Sequence, residues 1–377
     1  LNVLHLHLTD DQGWRFPVPG WPRLAEIASW RRETLVGHAR DPLAVTGGER
    51  FDGTPHGGCY EAATLRALDA YARRRHVRLL PEVDLPGHVQ AAIAAYPELG
   101  SATAPLEVMT TWGISEHVLN CSPLAMEFCS DVIDALCEVF GSELLHLGGD
   151  ECPTGEWASS AEVRSRAASL GLSGPEELQG WFTGEMARMC AERGRRLVGW
   201  DEILDAGTPA EGTVVMSWRD ESAGARAARA GVDVVVSPQQ RCYLDRYQSD
   251  GDDEPLAFGG LTTWQDVAAY DPLPAGLDAL QAGHVLGTQL ALWSEYLPGP
   301  SDVEYMAFPR ACVLAEVAWS GPGGGEDEVG RRLGRHLARL DALGVNYRPL
   351  EGPRPWQRGG SGARRRVRRV DRAPVGD

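Results

Sequence analysis

The chain is 377 residues long, 43% hydrophobic and 24% charged, with a formal net charge of −17. That length fits one large α/β barrel or two ordinary domains, and the acidic balance argues against nucleic acid or an anionic membrane as partner. Every one of the 36 basic residues is an arginine, so chemistry that needs a lysine Schiff base, pyridoxal phosphate included, lacks its nucleophile.

In chain order, residues 1–8 alternate as a strand and end in the polar loop Thr9-Asp10-Asp11-Gln12-Gly13-Trp14-Arg15. Helical spacing covers 60–75, and Val77 to Asp84 forms a strand closed by Leu85-Pro86-Gly87-His88. A helix is predicted over 122–140, with Ser122 as N-cap and Pro123 as its first residue. A strand at 144–149 then stops at two glycines, followed by the adjacent carboxylates Asp150 and Glu151. Next come a helix at 176–193, strands at 196–200 and 213–218, a helix at 223–230 and a strand at 232–237. The last strand is expected at 285–293 and a closing helix at 303–319. Residues 351–377, rich in Gly, Pro and Arg, read as a disordered tail after a single domain over 1–350.

Strands that alternate with helices form a parallel sheet, and seven such units point to an eight-stranded TIM (β/α)8 barrel. The chain opens inside a strand, so the count predicts that the sequence starts in the second strand, the first lying before Leu1. Without that strand the barrel would have an open edge and fold poorly. An open doubly wound sheet is disfavoured, because no strand is followed by G-x-G-x-x-G or a phosphate loop.

The eight cysteines contain no C-x-x-C pair, so neither a zinc site nor a redox motif is expected. No apolar stretch is long enough to span a bilayer.

Barrel chemistry sits where strands end. Those positions hold His5, His7, Asp10 and Asp11, then Asp84 and His88, then Asp150 and Glu151. They continue with Trp200, Trp218, Tyr243 and Asp245, then Trp293 and Glu295. Any one aromatic residue is more often packing than ligand contact. Together with carboxylates they give apolar walls with polar points, the combination a sugar needs. His5 and His7 share one strand face and raise a metal reading. Later strand ends carry tryptophan and tyrosine in place of histidine, so no metal is expected.

At this point the sequence resembles a family. His5-Leu6-His7-Leu8-Thr9-Asp10-Asp11-Gln12-Gly13-Trp14-Arg15, Pro81-Glu82-Val83-Asp84-Leu85-Pro86-Gly87-His88 and His146-Leu147-Gly148-Gly149-Asp150-Glu151 are similar to stretches of the family 20 glycoside hydrolases, the β-N-acetylhexosaminidases. Gly199-Trp200-Asp201-Glu202, Tyr243-Leu244-Asp245, Leu292-Trp293-Ser294-Glu295 and Phe308-Pro309-Arg310 continue the resemblance in order over about 1–320.

The resemblance implies a retaining, substrate-assisted hydrolase, an exception to the two-carboxylate scheme. It implies Glu151 as general acid/base and Asp150 as the residue orienting the substrate's 2-acetamido group. Tyr243 would hydrogen-bond the acetamido oxygen, and Asp84 and His88 would form a hydrogen-bonded pair behind Glu151. Trp200, Trp218 and Trp293 would wall the sugar, and Asp245 and Glu295 would grip its hydroxyls. The family's arginine on its first barrel strand has no counterpart in this sequence. The implied partners are glycans or chitooligosaccharides ending in GlcNAc or GalNAc, with no cofactor. The alternatives are a carbohydrate-binding module without turnover and a metal-dependent amidohydrolase.

Overall fold

The computed structural model describes residues 1–38 and 49–358. Among them, seven strands form one sheet whose order follows the chain: β1 (Val3–His7), β2 (Arg78–Glu82), β3 (Leu144–His146), β4 (Arg196–Trp200), β5 (Val214–Ser217), β6 (Asp233–Val236) and β7 (Val285–Thr288). The register pairs Val3 with Arg78 and His7 with Glu82, then Glu82 with His146, His146 with Val198, and Val198 with Val214, all in parallel. A sheet ordered as the chain is, with helices between its strands, is of the TIM-barrel α/β type.

Helices form where an apolar stripe faces the core. Helix α1 (Ala62–Arg73) buries Leu65 and Ala72. Helix α2 (Pro123–Val139) begins as its sequence predicts: Ser122 Oγ accepts from Ala125 N at 3.2 Å, and Pro123 occupies the first turn, where no N–H is needed. Helix α3 (Leu178–Glu192) and helix α4 (Glu221–Arg229) fall on the predicted segments.

Two predicted elements differ. The expected helix at 303–319 is two helices, Pro300–Ala307 and α5 (Arg310–Ser320). Pro309 lacks an N–H, and its ring keeps Phe308 extended, at φ −104° and ψ 138°. Strand β7 ends at Thr288, not at 293. Beyond it only Ala291 bridges, to Tyr243. Helix α6 (Glu326–Ala342), which buries Val329, Leu333 and Leu340, was not predicted. Of the expected tail, residues 359–377 lie outside the described residues, as do 39–48 of the loop before α1. Ahead of the tail, Pro355–Gln357 make a 3₁₀ turn, and the Gln357 amide donates to Tyr347 O at 2.8 Å. No described helix is long and apolar enough to cross a membrane.

The chain divides into two compact units. The first comprises Leu1–Leu35, Phe51–Met216 and Ala227–Val234, the second Val36–Arg50, Ser217–Arg226 and Val235–Asp377. In the first, Phe128 of α2 is fully buried, its ring centroid 4.9 Å from that of Trp21 and 5.6 Å from that of Trp14. In the second, Leu244, Val267, Tyr270, Val313, Leu314 and Val317 form the core. All eight cysteines are free thiols.

Phe128→Ala would leave an aromatic-sized cavity that rigid neighbours cannot fill. Urea unfolding should show a loss of about 3–5 kcal/mol with an unchanged m-value.

Candidate active site

Alternation along a strand puts His5 and His7 on one face of β1, and the register sets them beside Glu82 and His146. The Glu82 carboxylate, 1% exposed, meets a nitrogen from each of four side chains. Oε1 receives Trp200 Nε1 at 2.9 Å and lies 3.0 Å from His146 Nδ1. Oε2 lies 2.9 Å from both His5 Nε2 and His7 Nδ1. Burial alone would raise its pKa, but the imidazoles of His146, His7 and His5 outweigh that and hold it well below the ordinary value. Trp200 is itself buried, and its indole N–H is spent on Glu82.

The loop after β1 carries the next charges. Asp10 Oδ2 lies 3.2 Å from His7 Nε2, and Oδ1 lies 3.2 Å from His88 Nδ1. The other nitrogen of His88, Nε2, faces Glu151 Oε2 at 3.5 Å and Asp150 Oδ2 at 3.7 Å. His88 Nδ1 therefore pairs with Asp10, and not with Asp84 as expected. Both oxygens of Asp10 face imidazoles, Oδ1 also accepting from Asp11 N at 2.7 Å, whereas Asp84 Oδ1 accepts from Gly149 N at 3.3 Å and its carboxyl meets Asp150. Burial works against a charge on His88, yet the bonds to Asp10, Asp11 and Glu151 raise its pKa well above the usual value. Asp11 is fully buried and accepts from Gln90 N at 2.9 Å and Ser115 N at 3.1 Å, tying three loops together.

Asp84 instead faces Asp150. Burial, and then the neighbouring Asp150 charge, push the Asp84 pKa well above the carboxylate range. Burial pushes Asp150 up to about 6, while the charge of His88 and then the hydrogen bond with Asp84 pull it down. Two buried carboxyls in contact resist carrying two charges, so the pair keeps a shared proton. The turn that presents the two acids requires glycine. Gly148 and Gly149 have φ of 68° and 98°, and a Cβ on Gly148 would collide with the Asp84 carboxyl. Glu151 also has a positive φ, 42°, uncommon for a residue with a side chain. Among the described residues, the groups of histidine and carboxylate close enough to hold a metal ion are His5, Glu82 and His146, then Asp10, Asp11 and His88, then Asp84, His88 and Asp150, all of them built from these same side chains.

The second unit has its own cluster. The Tyr243 ring lies nearly parallel to Trp218, centroids 6.2 Å apart, and 6.3 Å from Trp293. Trp218, Trp293 and Glu295 are half-buried, while Tyr243 and Asp245 are buried. Asp245 Oδ1 has no hydrogen-bond partner among the described residues, and burial pushes its pKa up to about 6. Arg310, fully buried, holds the turn that carries Asp245. It donates to the carbonyls of Leu244, Met306, Thr262 and Arg246 at 2.6 to 3.0 Å. Burial lowers the Arg310 pKa to about 9 against the pull of Asp245. Sequence reasoning placed Asp10 and Asp11 at a strand end without a partner, and assigned no role to Glu82 or Arg310. The signal available for them was their place inside the matched motifs.

The model for "Glycosyl hydrolase family 20, catalytic domain" matches residues 1–322. The chain belongs to this family. It is 38% identical over 365 residues to a β-hexosaminidase of Porphyromonas gingivalis, covering 96% of this chain and 44% of that protein. It is 37% identical to one from Akkermansia muciniphila, covering 85% and 63%. The chain thus spans about half the length of these relatives. Among solved structures, a β-N-acetylhexosaminidase superposes with a TM-score of 0.80 at 32% identity, over 94% of this chain and 73% of that one. The exo-β-N-acetylglucosaminidase of Vibrio harveyi in complex with N-acetylglucosamine gives 0.76 at 31% identity, over 93% and 54%.

The buried Asp245 of this family 20 chain predicts a pH-dependent stability. The folded protein holds that proton up to about pH 6, whereas an unfolded Asp releases it near 4. Its stabilising contribution is therefore complete below pH ~4 and lost as pH rises through 6. Asp245→Asn should be more stable than the parent at pH 8, by about 2–3 kcal/mol at most. Thermal melts at pH 4 and pH 8 should show that gap closing at the lower pH.

Proposed function

We propose that the chain carries the catalytic site of a retaining exo-β-N-acetylhexosaminidase, which removes terminal β-linked GlcNAc or GalNAc from glycans or chitooligosaccharides. The observation that carries this reading is the unlike treatment of two adjacent carboxyls. Glu151 lies beside His88 at 3.5 Å, whereas Asp150 shares a proton with the buried Asp84. Neighbouring residues project in different directions and are ill suited to face each other across a glycosidic bond at ~5 Å. One acid/base beside an imidazole and one carboxyl held by a buried neighbour suit a reaction in which the substrate brings its own nucleophile.

In that reaction Glu151 protonates the glycosidic oxygen as the C1–O bond breaks. The carbonyl oxygen of the substrate's 2-acetamido group bonds to C1 from the opposite face, giving an oxazolinium ion. Asp150 orients the acetamido N–H and offsets the positive charge that develops there. Water then attacks C1, Glu151 takes its proton, the ring opens and the β-anomer leaves. Two inversions at C1 give net retention. Tyr243 donates to the acetamido oxygen, holding it in attack geometry. Trp218 and Trp293 offer ring faces to the sugar, and Trp200 serves as a buried floor. Asp245, with an unpartnered oxygen, and Glu295 accept from sugar hydroxyls. The relatives support this reading: the Vibrio harveyi enzyme is described with N-acetylglucosamine, and a Streptomyces plicatus β-hexosaminidase with GlcNAc as product.

Hydrolysis of p-nitrophenyl β-N-acetylglucosaminide tests it. Glu151→Gln should lower kcat by ~10²–10⁴-fold, and a chelator should leave the parent rate unchanged. Folded protein that binds the sugar without turnover would support a binding module. Loss of activity with chelator would support a metallohydrolase.

A further inference from the structure

The mechanism uses the acid/base and the imidazole behind it, but the charged chain does not stop there. His7 stands between two carboxylates, its Nδ1 2.9 Å from Glu82 Oε2 and its Nε2 3.2 Å from Asp10 Oδ2. A neutral imidazole has one bare nitrogen. In this setting its lone pair would point at a carboxylate oxygen whichever tautomer formed. Only the imidazolium satisfies both partners.

Asp10 then passes the effect on, because its other oxygen meets His88, which reaches Glu151. The charged groups facing His7 are Glu82 from β2 and Asp10 from its own loop. His5 and His146 share Glu82, and His88 shares Asp10.

We propose that His7 is a positioning residue, an imidazolium that joins the buried Glu82 carboxylate to the Asp10–His88–Glu151 chain and thereby sets the proton affinity of the acid/base. Burial opposes this charge, but the Glu82 and Asp10 carboxylates outweigh it and raise the His7 pKa well above its usual value. Without the positive charge of His7, the carboxylates are less compensated, and His88, Asp150 and Glu151 hold their protons more tightly. Without the negative charge of Glu82 the opposite follows. The kinetic part of the inference rests on the hydrolase reading above; the charge state of His7 does not.

Two experiments on the purified protein test it. The first is the pH profile of kcat/KM for parent, His7→Gln, Glu82→Gln and the double variant, each checked for folding by its thermal melt. Both limbs should move up by about one unit in His7→Gln. They should move down in Glu82→Gln and return toward the parent in the double variant, where the two charge changes cancel. Lower rates with unmoved limbs would overturn the proposal and leave His7 a packing residue. The second needs no variant: ¹⁵N NMR of histidine-labelled parent protein. Both ring nitrogens of His7 should carry protons through pH 7.5, and a bare nitrogen at neutral pH would overturn the inference even in a protein with full activity. An inactive parent whose His7 is doubly protonated would sink the hydrolase reading and leave this charge state standing.

Discussion

A carboxylate in the interior of a sheet is the constraint on which the first unit depends. Removing the Glu82 charge from water costs several kcal/mol unless it is matched, and here three imidazoles and an indole N–H match it. Each partner comes from a different place in the register: His5 and His7 from β1, His146 from β3, Trp200 from the end of β4. The strands must therefore pair in one register, since a slip of one residue would turn these side chains to the other face and strand the charge. Trp200 and His146 pack edge-on at 4.7 Å in the same cluster, so the polar network is also a packed one.

From that anchor the charges alternate outward. Glu82 holds His7, His7 holds Asp10, and Asp10 holds His88 against the two acids at the end of β3. Each member is oriented by the one beneath it, which is how a side chain keeps a fixed position at a loop rather than on a strand. The cost is visible in the backbone: Gly148, Gly149, Glu151 and His88 all have positive φ. The second unit solves a similar problem with one cation. Arg310 replaces a missing secondary structure by donating to four carbonyls, and the Tyr243–Asp245 turn is held without a helix or strand of its own.

The sequence showed where the strands lie because buried β-strands are short apolar runs, and six of the seven fall within a few residues of expectation. Helix α2 was legible to its cap, since Ser122 and Pro123 act locally. The helix broken at Pro309 was lost because its hydrophobic spacing runs on past the break. Helix α6, whose α-helical pattern is interrupted by glycines at 330 and 334, gave a weaker signal. For the site, the residue types and their positions could be read from the motifs, but not the pairing. Asp84 and His88 are four apart and were expected to meet. The partner that does meet His88, Asp10, is 78 residues away, a distance no local pattern carries. Likewise, Trp200 reads as a ligand wall in sequence, while its indole N–H is bonded to a residue 118 positions earlier.

In the proposed reaction the substrate's own acetamido oxygen is the nucleophile, and Asp150 supports the charge it develops. The most direct test is kcat/KM on p-nitrophenyl β-glucosaminides whose N-acyl group carries zero, one, two and three fluorines. Fluorine withdraws electrons from the carbonyl oxygen without altering the glycosidic bond. The rate should fall steeply across the series, most steeply when Asp150 is intact. A flat series would mean that the acetamido group does not attack and that another nucleophile does.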